Sequence, residues 1–133
     1  MKTKSQIVRK DGVAGLKTII SALVLLSSAT TQAGEADVLD VQVSQNGGTY
    51  RFDVSVQHAD TGWEHYANAF EIVAPDGTVL GTRVLYHPHV NEQPFTRSLS
   101  GVRIPDGVSE VDVRAVDSIH GTGGKTVRVE VPR

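Results

Sequence analysis

The sequence predicts an all-β protein, a seven-stranded immunoglobulin-like β-sandwich built from about 100 residues. Seven short segments alternate apolar and polar residues with the period of two that belongs to strands with one buried face. Three tight-turn signals separate neighbouring segments, and no stretch after residue 33 has a convincing helical period. Many short strands with frequent turns in one domain of this size indicate a sandwich of two sheets.

The first two segments, residues 38–44 and 50–57, are predicted to form a hairpin. Alternation is clearest in the second one, where the apolar positions are Tyr50, Phe52, Val54 and Val56. Asn46-Gly47-Gly48 between the segments is a turn signal, because asparagine and glycine tolerate the positive φ angles of short hairpin loops.

The third and fourth segments, residues 66–74 and 78–86, flank the turn Pro75-Asp76-Gly77. Proline fixes φ at the first central position of a turn, and glycine supplies positive φ where the turn needs it. We therefore expect these two strands to be consecutive and antiparallel.

The last three segments are residues 94–99, 108–116 and 125–131. The first two flank a second proline-aspartate-glycine turn, Ile104-Pro105-Asp106-Gly107. The final segment places valines at alternate positions on one face, as expected of a strand that packs on a core. No internal repeat or linker divides the seven segments, so they predict a single domain.

Residues 1–33 resemble a signal peptide and are set apart from the domain, residues 34–133. Five basic residues precede an apolar stretch at 18–29, and Thr31-Gln32-Ala33 resembles a small-residue cleavage site. The apolar stretch is too short to span a bilayer, which takes about 20 residues. We expect a periplasmic or secreted protein with no membrane span in its mature form.

Composition excludes several classes of function. Removal of residues 1–33 leaves 8 basic and 14 acidic residues, a net charge of −6 that argues against nucleic acid and anionic lipid as partners. The chain has no cysteine, which excludes disulfides, thiolate ligands and a cysteine nucleophile. Its one methionine is the initiator, so thioether sites for cuprous ion are also excluded.

All five histidines are expected at one end of the sandwich. Successive strands run in opposite directions, so alternate connections lie at the same end. The three tight turns fall at one end, and the longer loops 58–65, 87–93 and 117–124 fall at the other. Those longer loops contain His58, His65, His87, His89 and His120.

This convergence predicts a transition-metal site, because imidazole is the commonest protein ligand for such ions. The predicted ligands are the five histidines together with Asp117. Asp60, Glu64 and Glu92 are near enough in sequence to offer an oxygen or to orient an imidazole. Copper(II), iron(II), zinc and nickel all suit nitrogen-rich ligation, and the absence of thiolates in an exported protein favours copper slightly.

His58 through Tyr66, followed by the turn Asp76-Gly77, forms one motif, and Val113 through Gly121 forms a second. Together they resemble the iron-binding domain of superoxide reductases, the desulfoferrodoxin or neelaredoxin domain. The run from His58 through His65-Tyr66 is similar to that family's His-Pro-Met-x-x-x-His-Tyr loop, and Asp76-Gly77 matches its following turn. The run from Val113 to Gly121 is similar to its closing Ala-Arg-x-Tyr-Cys-Asn-x-His-Gly.

The resemblance, over about residues 50–121, implies an immunoglobulin-like fold and a site to which His58, His65 and His120 carry over as iron ligands. In that family four histidines and an axial cysteine hold the iron, and here Asp117 stands at the cysteine position. The spacing from His58 to His65 is one residue longer than the family's, its earliest histidine has no counterpart, and His87-Pro88-His89 is additional.

Three classes of function are compatible with the sequence. The first is an exported metal-binding protein that holds or delivers its ion, with or without redox turnover. The second is a metal enzyme of the superoxide-reductase type. The third is a non-catalytic interaction module that contacts a periplasmic protein partner through the histidine end.

Overall fold

The computed structural model describes residues 34–133, and all of its regular elements are strands. They are β1 to β7, which span Asp37–Asn46, Thr49–Gln57, Ala67–Val73, Val79–Val84, Phe95–Val102, Glu110–Asp117 and Val127–Glu130. Within this range no helix is present that could cross a membrane. The predicted signal peptide lies outside the described residues.

Two antiparallel sheets form a β-sandwich, which confirms the predicted fold class. One sheet has the order β1-β2-β5, and the other has the order β4-β3-β6-β7. In constant-type immunoglobulin domains the fourth strand joins the sheet of the first, second and fifth. Here β4 pairs with β3, because the Pro75-Asp76-Gly77 turn returns the chain directly beside that strand.

The core lies between the sheets and consists of the inward residues of alternating strands. In β2 every second residue from Tyr50 to Val56 is buried, as the sequence alternation predicts. The largest fully buried side chains are Phe52, Phe70, Phe95 and Ile72. Burial of one such side chain contributes roughly 1.5–3 kcal/mol to folding, so the strands are held by packing as well as by pairing.

The three long loops lie at one end of the sandwich, which we call the histidine pole and define by residues 58–66, 85–94 and 118–126. Hydrogen bonds join these loops to one another. The amide of His89 donates to Asp60 Oδ2 at 2.7 Å, and the amide of Tyr66 donates to Ser118 Oγ at 3.0 Å. The three tight turns lie at the opposite end.

The segment before β1 also reaches the histidine pole. The amide of Val38 donates to the carbonyl of Lys125 at 2.9 Å, and the amide of Lys125 donates to Asp37 Oδ1 at 2.7 Å. A Cβ on Gly124 would overlap the backbone carbonyl of Ala36, so this close approach requires glycine. The glycine-rich run before β7 therefore holds residues 34–36 against the pole.

Candidate metal centre

Three imidazoles from the histidine pole meet at one carboxylate oxygen of Asp117. Asp117 Oδ2 lies 2.8 Å from His58 Nε2, 2.7 Å from His65 Nε2 and 3.1 Å from His120 Nδ1. We call His58, His65, His120 and Asp117 the central cluster. One ligand atom from each of His58, His65 and Asp117 lies within 4.8 Å of the others. These three residues are a group that could hold a metal ion, and His120 lies beside them through its contact with Asp117 Oδ2.

Asp117 is the last residue of β6, and its side chain is fully buried. Its other oxygen, Oδ1, accepts hydrogen bonds from the amides of Ile119 at 2.6 Å and His120 at 3.1 Å. These bonds follow from the tight loop in which Asp117 and Gly121 exchange two backbone hydrogen bonds. The loop thus leaves Oδ2 directed at the imidazoles.

Asp117 is held in its ionised form. Burial alone would raise the pKa of this carboxyl group, because a low-dielectric environment disfavours the charge. The amides of Ile119 and His120 and the imidazoles of His120 and His65 outweigh that effect and hold the pKa well below its usual range. The cluster therefore contains a buried carboxyl group that favours the ionised form.

His58 follows β2 directly and lies between two buried carboxylates. Its Nδ1 is 2.5 Å from Asp60 Oδ1, and its Nε2 is 2.8 Å from Asp117 Oδ2. The backbone amide of His58 donates to Gln93 Oε1 at 2.9 Å, which fixes the main chain at this point. A neutral imidazole has one N–H, so it can donate to only one of the two carboxylates.

Asp60 orients His58 and ties two loops together. Its Oδ1 also accepts a hydrogen bond from the amide of Ala67 at 3.0 Å, and its Oδ2 accepts one from the amide of His89. The side chain of Asp60 is fully buried, and every contact it makes is with an N–H donor or with the His58 ring. A carboxylate in this position fixes the orientation of the imidazole that it contacts.

His65 closes a short turn in which its amide donates to the carbonyl of Gly62 at 3.2 Å. The hydrogen bond to Asp117 raises the pKa of His65, although partial burial opposes the shift. A quarter of the His65 side chain is exposed, and His120 is more open with 41% of its side chain exposed. The cluster is therefore closed on the His58 side and accessible to solvent on the His65 and His120 side.

No lysine or arginine pairs with Asp60 or Asp117 among residues 34–133. Two buried carboxylates therefore face three imidazoles without any permanent cation. Backbone amides stabilise part of this buried charge, and protonated imidazoles or a metal cation would supply the positive charge that is otherwise missing.

His87 and His89 form a separate pair at the same pole. Their ring centroids are 4.8 Å apart, and His89 stacks on Phe95 at 4.0 Å with nearly parallel planes. His87 is exposed, whereas both ring nitrogens of His89 are buried and have no hydrogen-bond partner among the described residues. Burial, followed by the nearby positive charge of Arg97, lowers the pKa of His89. The backbone of His89 is linked to His58 through two side chains, since its amide donates to Asp60 and its carbonyl accepts from Gln93.

The other acids named as candidates lie outside the central cluster. Glu92 pairs with Arg97 at 3.0 Å, and Glu64 is exposed beside the Gly62 turn. Of the acidic neighbours considered, Asp60 alone contacts a ring of the cluster, through His58 Nδ1.

Two residues that contact the site were not anticipated from the sequence. Gly34 places its carbonyl oxygen 3.2 Å from His58 Nε2 and 3.3 Å from His65 Nε2. Gln93 joins two loops, because it accepts from the His58 amide and donates to the carbonyl of His89 at 2.9 Å. The only sequence signal for Gly34 is its position directly after the predicted cleavage site.

Comparisons with known proteins find similar sequences and folds but do not assign this chain to a family. No protein-family profile matches the sequence. A protein of the archaeon Halomicrobium mukohataei, provisionally named a lipoprotein, is 38% identical over 97 residues. That alignment covers 72% of this chain, which spans about half (47%) of the relative's length.

Three solved structures resemble the fold at low identity. A hypothetical protein from Pyrococcus horikoshii is 15% identical with a TM-score of 0.49, over 77% of this chain and 95% of its own. Superoxide reductase from Giardia intestinalis is 15% identical with a TM-score of 0.42, over 68% and 95%. Superoxide reductase (neelaredoxin) from Archaeoglobus fulgidus is 14% identical with a TM-score of 0.45, over 80% and 95%.

Proposed function

We propose that this chain is an exported transition-metal-binding protein whose ion is held by His58, His65, His120 and Asp117. The observation that carries the proposal is the convergence of three imidazole nitrogens on one oxygen of a buried carboxylate. Three nitrogens and one oxygen form a ligand set typical of copper, iron and zinc sites in proteins.

The protonation of His58 supports a cation at this point. If Nδ1–H donates to Asp60, a neutral ring turns the Nε2 lone pair towards Asp117, and two electron-rich atoms then face each other at 2.8 Å. A metal ion at Nε2 would remove that conflict and leave the carboxylate–histidine pair in the arrangement usual for metal-binding histidines. A divalent ion would also balance the charges of Asp60 and Asp117.

The donor chemistry favours copper(II) or iron(II), with zinc as a further candidate. Copper suits the absence of thiolates, whereas iron follows from the resemblance of the His58–His65 and Val113–Gly121 motifs to superoxide reductases. When bound, copper or iron would supply a one-electron redox couple. In either case the protein would hold the tautomer of His58 through Asp60, keep Asp117 ionised and shield one side of the ion from water.

Export is part of the proposal. The basic and apolar segments of residues 1–33 have the pattern of a signal peptide. The 38%-identical relative is provisionally named a lipoprotein, which is a class of exported, membrane-anchored protein. We propose a location outside the cytoplasm on these two grounds.

A second candidate function is a metal enzyme that reacts with a small oxidant such as superoxide. The exposed sides of His65 and His120 favour it, because a small anion could approach the ion from solvent there. Asp117 stands at the position that cysteine occupies in the superoxide-reductase pattern, and a carboxylate is a harder ligand than a thiolate. Storage or delivery of the metal therefore remains the first proposal.

The test is elemental analysis of the full chain expressed with export and purified without added metal. The wild type should contain one equivalent of a transition metal. Replacement of His58, His65 or His120 by alanine should reduce that content strongly. Affinity should fall as the pH is lowered, because protons compete with the metal for imidazole nitrogen and the pKa of His65 is raised.

His87→Ala is the matched control, because His87 lies at the same pole, is exposed and makes no contact with the central cluster. Equal metal contents in wild type and His87→Ala would support the four-residue set. That His87 and His89 also bind the ion stays a prediction, and loss of metal from His87→Ala would favour it. Negligible metal in every sample would refute metal binding and favour an interaction module.

A further inference from the structure

The backbone of Gly34 lies among the three imidazoles of the central cluster. Its carbonyl oxygen is 3.2 Å from His58 Nε2 and 3.3 Å from His65 Nε2. Its Cα lies against the third ring, since a Cβ at this position would be only 3.0 Å from Cε1 of His120. The residue thus contacts every histidine of the cluster through main-chain atoms alone.

Contacts with the β6–β7 loop hold Gly34 in this place. Ala36 is buried, and Gly124 packs so closely on its carbonyl that no side chain fits between them. Two hydrogen bonds between the Asp37–Val38 pair and Lys125 secure the next residues. The position of Gly34 follows from these contacts on its carboxyl side, within residues 34–133.

Gly34 is also the residue that directly follows the predicted cleavage site Thr31-Gln32-Ala33. Hydrolysis of the Ala33–Gly34 peptide bond by an export peptidase consumes one water molecule, leaves a carboxylate on Ala33 and leaves an amine on Gly34. A peptide nitrogen has no free lone pair for a metal, whereas a free α-amine has one. Cleavage at this bond would therefore create a new nitrogen ligand beside the cluster.

We propose that the α-amine of Gly34, freed by cleavage after Ala33, is a ligand of the ion held by the central cluster. This inference rests on the proposed metal-binding function. The amine nitrogen and the carbonyl oxygen of an amino-terminal residue can close a five-membered chelate ring on one ion, and that oxygen is already directed at the cluster. Binding releases the proton of the ammonium form to solvent.

The consequence is that metal loading depends on processing. The precursor has the three imidazoles and Asp117, and only the processed protein has the additional amine. The processed form should bind the ion more tightly, so full loading would occur after export and the precursor would hold metal weakly in the cytoplasm.

The experiment compares two forms of the same chain, the exported protein and the unprocessed precursor produced without export. Mass spectrometry should place the amino terminus of the exported form at Gly34. Competition titration with copper(II) should show that the processed form binds the ion at least about tenfold more tightly than the precursor. Loss of a residue that only orients a ligand typically lowers metal affinity 10–100-fold, and loss of a ligand itself should lower it by no less.

Both forms are also prepared with ¹⁵N-glycine and loaded with copper(II). The nitrogen hyperfine pattern in the electron paramagnetic resonance spectrum should change on labelling in the processed form and not in the precursor. The precursor is the matched control, because its Gly34 nitrogen is in peptide linkage.

Each alternative result is decisive. An amino terminus other than Gly34, or copper binding without any effect of ¹⁵N-glycine, would overturn the amine ligand and leave the proposed function intact. Equal copper affinity in the two forms would do the same. Failure of both forms to bind copper, iron or zinc would overturn the proposed function itself.

Discussion

Asp60→Asn should weaken both the fold and the metal site, although it changes one oxygen to an amide nitrogen of the same size. Asp60 accepts hydrogen bonds from the amides of Ala67 and His89 on different oxygens, and its Oδ1 also faces His58 Nδ1. Asparagine has one acceptor oxygen, so in either orientation its NH₂ group faces a buried N–H donor. One amide is then left without an acceptor in the protein interior.

The magnitude follows from these contacts. A buried donor without a partner costs about 1–3 kcal/mol, and charge-assisted hydrogen bonds are about twice as strong as neutral ones. The free energy of unfolding should therefore fall by about 2–4 kcal/mol, measured by urea denaturation of the metal-free protein. Metal affinity should fall about 10–100-fold, or about 1.4–2.7 kcal/mol, because His58 loses the partner that sets its tautomer.

Asp106→Asn is the matched control. It makes the same chemical change at the opposite end of the sandwich, on a fully exposed side chain whose one ion pair is 3.8 Å long. Stability should change by less than about 0.5 kcal/mol and metal binding should not change. If Asp60→Asn were as stable as the wild type and bound metal equally well, the assigned orienting role of Asp60 would be wrong.

Three further changes test other parts of the structure. Gly124→Ala should destabilise the domain by about 1–3 kcal/mol and lower metal affinity, because the added Cβ would push Ala36 and the residues before it away from the histidine pole. An unchanged thermal unfolding temperature would contradict this packing. His89→Phe should retain full metal and be as stable as the wild type or about 1 kcal/mol more stable, since it replaces two buried nitrogens without partners and keeps the stack on Phe95; loss of metal in elemental analysis would instead identify His89 as a ligand. The raised pKa of His65 stabilises the metal-free protein fully below the ordinary pKa of 6.5, and this stability is lost as the pH rises through the pKa of His65 in the folded state. Metal affinity changes in the opposite sense, because it rises as His65 loses its proton. Thermal unfolding of the metal-free and metal-loaded proteins from pH 6.5 upward should therefore show opposite slopes.

The strands and turns were predictable because their physical causes are local. Alternation from Tyr50 to Val56 reports one buried face of β2, and the glycine-containing turns mark where the chain reverses. The chain reversals also determine which loops share an end, so the common pole of the histidines could be expected. The pairing of β4 with β3 was predictable for the same reason, because the short Pro75-Asp76-Gly77 turn joins two consecutive antiparallel strands.

Which residues form the central cluster was harder to predict from the sequence. Asp60, Glu64 and Glu92 looked equivalent as neighbours of histidines, yet only Asp60 is buried against His58. His87 and His89 are in the right loop, but the stack of His89 on Phe95 turns that ring into the apolar interior. These outcomes depend on side-chain depth and direction, which strand counting does not provide.

By itself the sequence determined an all-β domain with its histidines gathered at one end, because strand periodicity and turn chemistry act over a few residues. The tertiary structure alone decided that His58, His65 and His120 surround Asp117, that Asp60 holds His58, and that Gly34 lies between the rings. The physical reason is that contacts among residues 34, 58 and 117 depend on how the two sheets pack. The residues next to each of them in the chain do not determine how far apart these three residues lie.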